Sequence, residues 1–332
     1  MADKGVLILA EVVEGKVVPI TYELLGIGKK LATDLGEELS AVLVGSGVAG
    51  AANDVIAHGA AKVYVVDDPL LKDYQTDAYA AVMEKVVKQV TPNILLMGQT
   101  SVGRDLAPRL AFRLGTGAAM DCVNLSIDPA SKLMVAVRPV YGGNAQAAFV
   151  TEKARPQMAT VRAKSQESLA ADASRKGEVV NIPAGLTPDM LRVKVVQKVK
   201  EEVTGVKLED ATVVICGGRG RGGPEPFKEL EALAKMFGGA VGATRPPCDS
   251  GWVPASVQVG LTGKIVSPNL YIAVALSGSS QHLAGCSGAK VIVAINKDAE
   301  ANIFKVAQFG VVGDYKKVLP IFAQKVKQLL EK

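Results

Sequence analysis

The residues best suited to chemistry lie in one short run, Ser277-Gly278-Ser279-Ser280-Gln281-His282. An apolar stretch, Leu270 to Leu276, precedes it and is short enough to be a buried strand; a second, Lys290 to Ile295, follows. Strand, turn, short helix and strand make a βαβ unit, the crossover that a parallel sheet requires. Small residues ahead of a helix offer backbone N–H groups and hydroxyls to a phosphate or another anion, or else simply cap the helix. His282, one of two histidines in the chain, ends the turn. Serines beside a histidine also raise nucleophilic catalysis, but there is no Gly-x-Ser-x-Gly elbow and no neighbouring acid to orient the ring. Hydrolysis is therefore set aside.

A second run, Cys216 to Gly223, places Gly218, Gly220 and Gly223 in the pattern G-x-G-x-x-G, after a strand and before a helix. So glycine-rich a run meets that pattern by chance, and no clear acidic strand end follows about 20 residues on. The glycines still let backbone approach a ligand, and Arg219 or Arg221 can pair with its phosphates. The stronger argument is convergence. Strands of an open parallel sheet end at one edge, where ligands bind. The segments after successive strands are Cys216 to Gly223, Thr244-Arg245, Ser277 to His282, and Asn296, all small, polar or cationic. They build an anion-binding mouth suited to a nucleotide cofactor. Metal is disfavoured, because the four cysteines (Cys122, Cys216, Cys248, Cys286) are scattered and histidine is scarce.

These loops need a scaffold, and the chain alternates strand and helix almost throughout. Val6 to Val12, Ser40 to Gly45, Lys62 to Val66 and Asn93 to Gly98 read as strands. Tyr22 to Leu35, Ala49 to His58, Asp77 to Val90 and Gly103 to Leu114 read as helices, so the first domain is a parallel α/β layer structure. Arg104, Arg109 and Arg113 on the last of these read as solvated charges, and His58 as a structural residue at a helix end. Met134 to Tyr141, Gln146 to Thr151 and Gln157 to Arg162 read as a β-rich closing section with antiparallel pairing. Val193 to Val199, alternating with lysine, reads as an edge strand.

The domain boundary is placed within Lys200 to Glu209, giving domains 1–200 and 201–332. The second domain repeats the pattern: strand Ala211 to Ile215, helix Glu225 to Phe237, strand Gly239 to Ala243, and a long connection, Pro246 to Ser267. After the central unit come a short strand at Gly310 to Val312 and a helix, Tyr315 to Leu330. Its stripe of Val318, Phe322, Val326 and Leu330 faces either its own domain or a second chain.

Bulk properties agree. At 332 residues two domains are expected, and 48% apolar content with 5% aromatics favours α/β layers. A net charge of +5, without a basic block or interleaved aromatics, argues against nucleic acid. No apolar run approaches the roughly 20 residues that span a bilayer. Met1 to Gly5 leads straight into a strand, with no room for a signal or transit peptide, so a cytoplasmic, reduced protein is expected.

With these residues in view, the chain resembles the alpha subunit of electron-transfer flavoproteins over nearly its whole length. The resemblance rests on GGRG at Gly217 to Gly220, PNLYIAVALSGSSQH at Pro268 to His282, VIVAINKD at Val291 to Asp298, and GRDLAPRLAFRLGTG at Gly103 to Gly117. It implies a flavodoxin-like, doubly wound C-terminal domain that holds FAD, after an N-terminal parallel α/β domain in contact with a beta subunit. Electrons would come from a dehydrogenase and leave to a quinone reductase or another acceptor. By position, Arg219, Ser277, Gly278, Ser279, Ser280 and Gln281 would hold the FAD phosphates and adenosine side. Thr244 and Arg245 would sit by the isoalloxazine, Thr262 by flavin N5 and His282 by the C2 carbonyl, with Val259 and Gly260 in the same site. Asn296 and Asp314 would hold the adenosine portion. A cationic or strongly donating His282 would then raise the potential of the first reduction, with Arg245 as the other cation in reach.

The chain departs from the family pattern at Leu261, where glutamine is usual, and at Ala275, where glycine is usual. It also has Ser279-Ser280 for an Ala–hydrophobic pair and Thr244 for a serine. Two rival functions use the same crevice: an NAD-dependent oxidoreductase built on the glycine-rich loop, and a nucleotide-binding scaffold without redox chemistry. Flavin colour separates all three.

Overall fold

Short apolar runs between amphipathic stretches can be satisfied by burying strands on both faces beneath helices, and both halves of the chain do this. The structure is a computed structural model that describes residues 3–143, 145–198 and 206–330. These fall into two units. The first runs to Pro139 and resumes at Gln146; the second takes Val140–Ala145 and everything from Lys200 onward. The single expected cut thus misses the turn at Val140–Ala145, and much of the Lys200 to Glu209 boundary lies outside the described residues.

In the first unit β1 (Val6–Ala10) is buried throughout and is followed by a small antiparallel hairpin, β2 (Val12–Val13) and β3 (Lys16–Val17). Helix α1 (Pro19–Leu35) opens on a proline, whose missing N–H costs nothing there, and stops at left-handed Gly36. The alternation continues through β4 (Leu39–Gly45), α2 (Ala52–Ala57), β5 (Lys62–Asp67), α3 (Thr76–Val90), β6 (Ile94–Gly98) and α4 (Ser101–Leu114). Then come β7 (Ala118–Cys122), β8 (Asn124–Ile127), β9 (Met134–Val140), β10 (Ala145–Phe149), β11 (Gln157–Val161) and β12 (Glu178–Asn181).

Among the described residues the main sheet has the order β12-β5-β4-β1-β6-β11-β7. Its pairings are parallel. Leu24, Leu31 and Val55 cover one face, against Ile8, Leu43 and Leu96. Met83, Val86, Leu106 and Leu110 cover the other, against Leu7, Val42 and Leu95. Two expectations are corrected here. Gln157–Val161 is no part of an antiparallel closing section; it is a fully buried parallel strand between β6 and β7. The β8–β9 pair in that region is antiparallel, and β10 lies on the other side of β9. Residues 193–198 form no strand, since β12 already occupies the free edge of β5; Val199 lies outside the described residues.

The second unit runs β13 (Val213–Gly217), α5 (Phe227–Met236), β14 (Ala240–Ala243), α6 (Arg245–Asp249), β15 (Leu270–Val274), α7 (Ser280–Cys286), β16 (Val291–Asn296), β17 (Phe309–Val312) and α8 (Tyr315–Leu330). Its parallel sheet has the order β14-β13-β15-β16-β17. Cys216, Tyr271, Cys286 and Ile303 pack on one face, and Phe227, Leu230, Tyr315 and Leu319 on the other. The α8 stripe turns towards this second core, with Val326 buried and Val318 and Phe322 packed against it. The side chain of Leu330 lies outside the described residues.

Candidate functional site

The sheet of the second unit reverses direction of growth between β13 and β15, because β14 lies to one side of β13 and β15 to the other. Ligands bind at the carboxyl edge beside such a switch point. Two cavities open there. One of about 330 Å³ is lined by Thr244, Arg245, Gln258, Thr262, Gln281 and His282, among others. The second, of about 200 Å³, is lined by residues including Gly220, Ala275, Asn296, Asp314 and Tyr315. Of the expected site residues, Val259, Gly260 and Ser279 also line the first cavity. Arg219, Ser277, Gly278 and Ser280 line neither; three of them are exposed near that edge, and Gly278 is buried.

Glycine is required in these loops mainly where backbones meet. A Cβ on Gly218 would lie 2.3 Å from the Ala275 carbonyl oxygen, and one on Gly278 would lie 2.5 Å from the Ile303 nitrogen. The Gly220 N–H donates to that same Ala275 carbonyl at 3.2 Å. The G-x-G-x-x-G match does not continue as a dinucleotide fingerprint. A single turn, Arg219–Arg221, interrupts it, and the helix begins only at Phe227, so Gly223 mediates no helix–strand packing.

The two arginines of this loop part company. Arg219 is exposed, whereas Arg221 is 2% exposed, a placement that no local sequence signal distinguishes. After β14 the long connection starts with α6, and Arg245 at its first position donates through Nε to Asp249 Oδ2 at 3.0 Å. Thr262 Oγ1 accepts from Gln258 Nε2 at 3.0 Å, which leaves its own hydroxyl hydrogen available. Asn296 is largely committed to the fold, donating to the Leu276 carbonyl at 2.8 Å and accepting from Asp298 N at 3.0 Å. Asp314 accepts from Lys316 N at 3.0 Å immediately before α8.

His282 departs from expectation. Its Nδ1 lies 3.0 Å from the Val259 carbonyl and its Nε2 lies 3.0 Å from the Tyr271 hydroxyl, with the ring 4% exposed. A carbonyl can only accept, so Nδ1 carries the hydrogen and Nε2 accepts from the phenol. Burial pushes the imidazole down to about 4, against a smaller upward pull from the Val259 carbonyl. The ring is therefore a neutral part of the cavity wall: of the cationic or strongly donating imidazole expected, the charge is not there, and the one ring hydrogen goes to the Val259 carbonyl. Sequence reading missed Tyr271, since a tyrosine within an apolar strand reads as core.

The first unit's sheet edge is furnished differently. The Asp67 carboxylate accepts from the backbone N–H groups of Gly47, Val48 and Ala49 at 2.7, 2.9 and 3.2 Å. Across β1 and β6, Thr100 donates to Glu11 Oε1 at 2.7 Å, and burial pushes the Glu11 carboxyl up to about 7. The Asp67 carboxylate thus fills a nest of backbone N–H groups of the kind that binds anions.

Comparison with known proteins agrees with this division. Residues 6–186 match the family model described as the electron transfer flavoprotein domain, and residues 207–287 match the electron transfer flavoprotein FAD-binding domain. The chain is 46% identical over 327 residues to the electron transfer flavoprotein subunit alpha of Megasphaera elsdenii, covering 98% of this chain and 97% of that protein. It is 40% identical over 327 residues to the Bacillus subtilis subunit of the same name, covering 98% of each. It is also 36% identical over 317 residues to a subunit of the lactate dehydrogenase (NAD(+),ferredoxin) of Acetobacterium woodii, covering 96% of this chain and 75% of that one. Among the described residues no helix is long and apolar enough to cross a membrane. With both domain models matched in order and identities of this size over nearly its whole length, the chain belongs to the electron transfer flavoprotein family, as an alpha subunit with an FAD-binding domain.

Proposed function

We propose that the chain holds its FAD along the carboxyl edge of the second sheet, with the flavin ring in the larger cavity and the adenosine end in the smaller. In this reading it works in the cytoplasm as a carrier without substrate turnover of its own, paired with a beta subunit. Electrons pass singly from a donor dehydrogenase to a quinone reductase or another acceptor. The observation that carries the reading is the pair of cavities, about 330 and 200 Å³, at one edge of the FAD-binding domain's sheet. Their lining fits the cofactor: hydroxyls, amides and backbone N–H groups, with Arg245 at the larger cavity and Lys297 and Lys316 at the smaller, and no metal-binding cluster among the described residues. An NAD-dependent role is less well supported, because the glycine run leads into no helix at the spacing that role needs.

FAD supplies, when bound, a ring system that takes up and releases electrons. The protein's part is to set the charge around it. Arg245 supplies positive charge at the larger cavity, Thr262 offers a hydroxyl hydrogen, and neutral His282 closes the wall. The purified complex should show an oxidised-flavin spectrum. In a potentiometric titration Arg245→Ala should lower the potential of the first reduction by on the order of 60 mV, a tenfold change for one electron. His282→Ala should lower it by much less. A colourless complex overturns the assignment, and a larger shift from His282→Ala than from Arg245→Ala overturns the assigned roles.

A further inference from the structure

Arg221 is fully buried at the end of the glycine-rich loop, and three elements meet on it. Its guanidinium carbon lies 4.1 Å from the centre of the Tyr315 ring. Its Nη2 donates to Glu229 Oε2 at 2.8 Å and to the Pro226 carbonyl, at the start of α5. The Tyr315 hydroxyl donates to the Arg221 carbonyl at 2.8 Å, tying the loop to the start of α8. Gly220 and Tyr315, at the near ends of two of these elements, both line the smaller cavity.

Fold stability alone does not account for the arrangement. Among the described residues Nε and Nη1 of Arg221 are buried without a hydrogen-bond partner. Its ion-pair partner, Glu229, has a side chain 62% exposed and so compensates a buried charge poorly. Replacing such a group with an apolar side chain of similar volume often leaves a protein as stable or more so. Two consequences for the cavity remain. The loop carrying Gly220 is held in one conformation relative to Tyr315. A fixed positive charge also sits behind that loop in a low-dielectric setting, where it acts on an anion without touching it.

We propose that Arg221 and Tyr315 form a clamp that positions the glycine loop and biases it electrostatically for the diphosphate and adenosine half of FAD. This rests on the reading that the smaller cavity takes that half. The sequence offered Arg221 as one of two arginines to pair with the phosphates and gave Tyr315 no role; buried as it is, Arg221 acts as a positioning residue, not as a ligand contact.

The test uses the full chain co-expressed with its beta subunit, stripped of flavin and titrated with FAD and with ADP. Arg221→Met should weaken both by about tenfold while the flavin-free protein melts no lower than the unchanged protein. Tyr315→Phe keeps the ring over the guanidinium and removes one hydrogen bond; it should weaken both by about threefold. Asp314→Ala, at the cavity but outside the clamp, serves as the control on the reading. If Asp314→Ala weakens binding and Arg221→Met does not, the clamp is overturned and the cavity assignment stands. If neither has an effect, the assignment falls and the clamp with it. Should Arg221→Met fail to fold, unchanged FAD and ADP affinities in Tyr315→Phe overturn the clamp.

Discussion

A histidine ring 4% exposed, with a carbonyl at one nitrogen and a phenol at the other, has little to gain from a second proton. The consequence for stability has a definite sign. In the unfolded chain His282 takes up a proton near pH 6.5, whereas in the fold burial delays this to about 4. Below pH 6.5 protonation therefore favours the unfolded state, so stability present above that pH is lost as pH falls towards 4. Between pH 7.5 and 5 the loss from this one group should be roughly 2 kcal/mol. Denaturant unfolding of the unchanged protein and of His282→Gln at both pH values measures it. Equal pH sensitivity in the two would show that the ring is not buried neutral.

Among the elements, the end of β15 is held under constraint. Ala275 has φ 52, a left-handed conformation that favours glycine. It cannot relax, because its N–H donates to Ile295 O at 2.8 Å while its carbonyl holds Gly220 N at 3.2 Å. An L-residue pays about 1–2 kcal/mol for this geometry, and glycine returns roughly 0.5–1 kcal/mol of that through unfolded-chain entropy. Ala275→Gly should therefore stabilise the second unit by roughly 0.5–1 kcal/mol. Equilibrium denaturation is the measurement, and a net destabilisation would mean that the methyl group is a packing contact in its own right.

For the whole molecule, the two sheets share an architecture but not a function. The first spends its edge on internal carboxylates, Asp67 and Glu11, and the second leaves its edge open in two cavities. A piece covering residues 206–332, co-expressed with a beta subunit, should thus retain FAD. A piece ending at residue 198 should be colourless. Visible absorbance decides this, and flavin in the N-terminal piece would reverse the assignment.

The alternation of strand and helix, the small polar loops after the second unit's strands, and the family were legible in the residues, because periodicity and motifs are local properties. What required the tertiary structure was every choice that depends on neighbours distant in sequence. Val193 to Lys198 has strand-like alternation, yet β12 holds the edge it would need. Arg219 and Arg221 stand two residues apart between glycines, yet only Arg221 meets Tyr315, 94 residues further along the chain. His282 sits where a cation is wanted, and burial against β15 and the preceding connection keeps it neutral, despite the upward pull of the Val259 carbonyl. Local sequence determines which residues reach the edge of a sheet. Burial and hydrogen-bond partners, which arise only when the elements pack, decide which of them carries charge there.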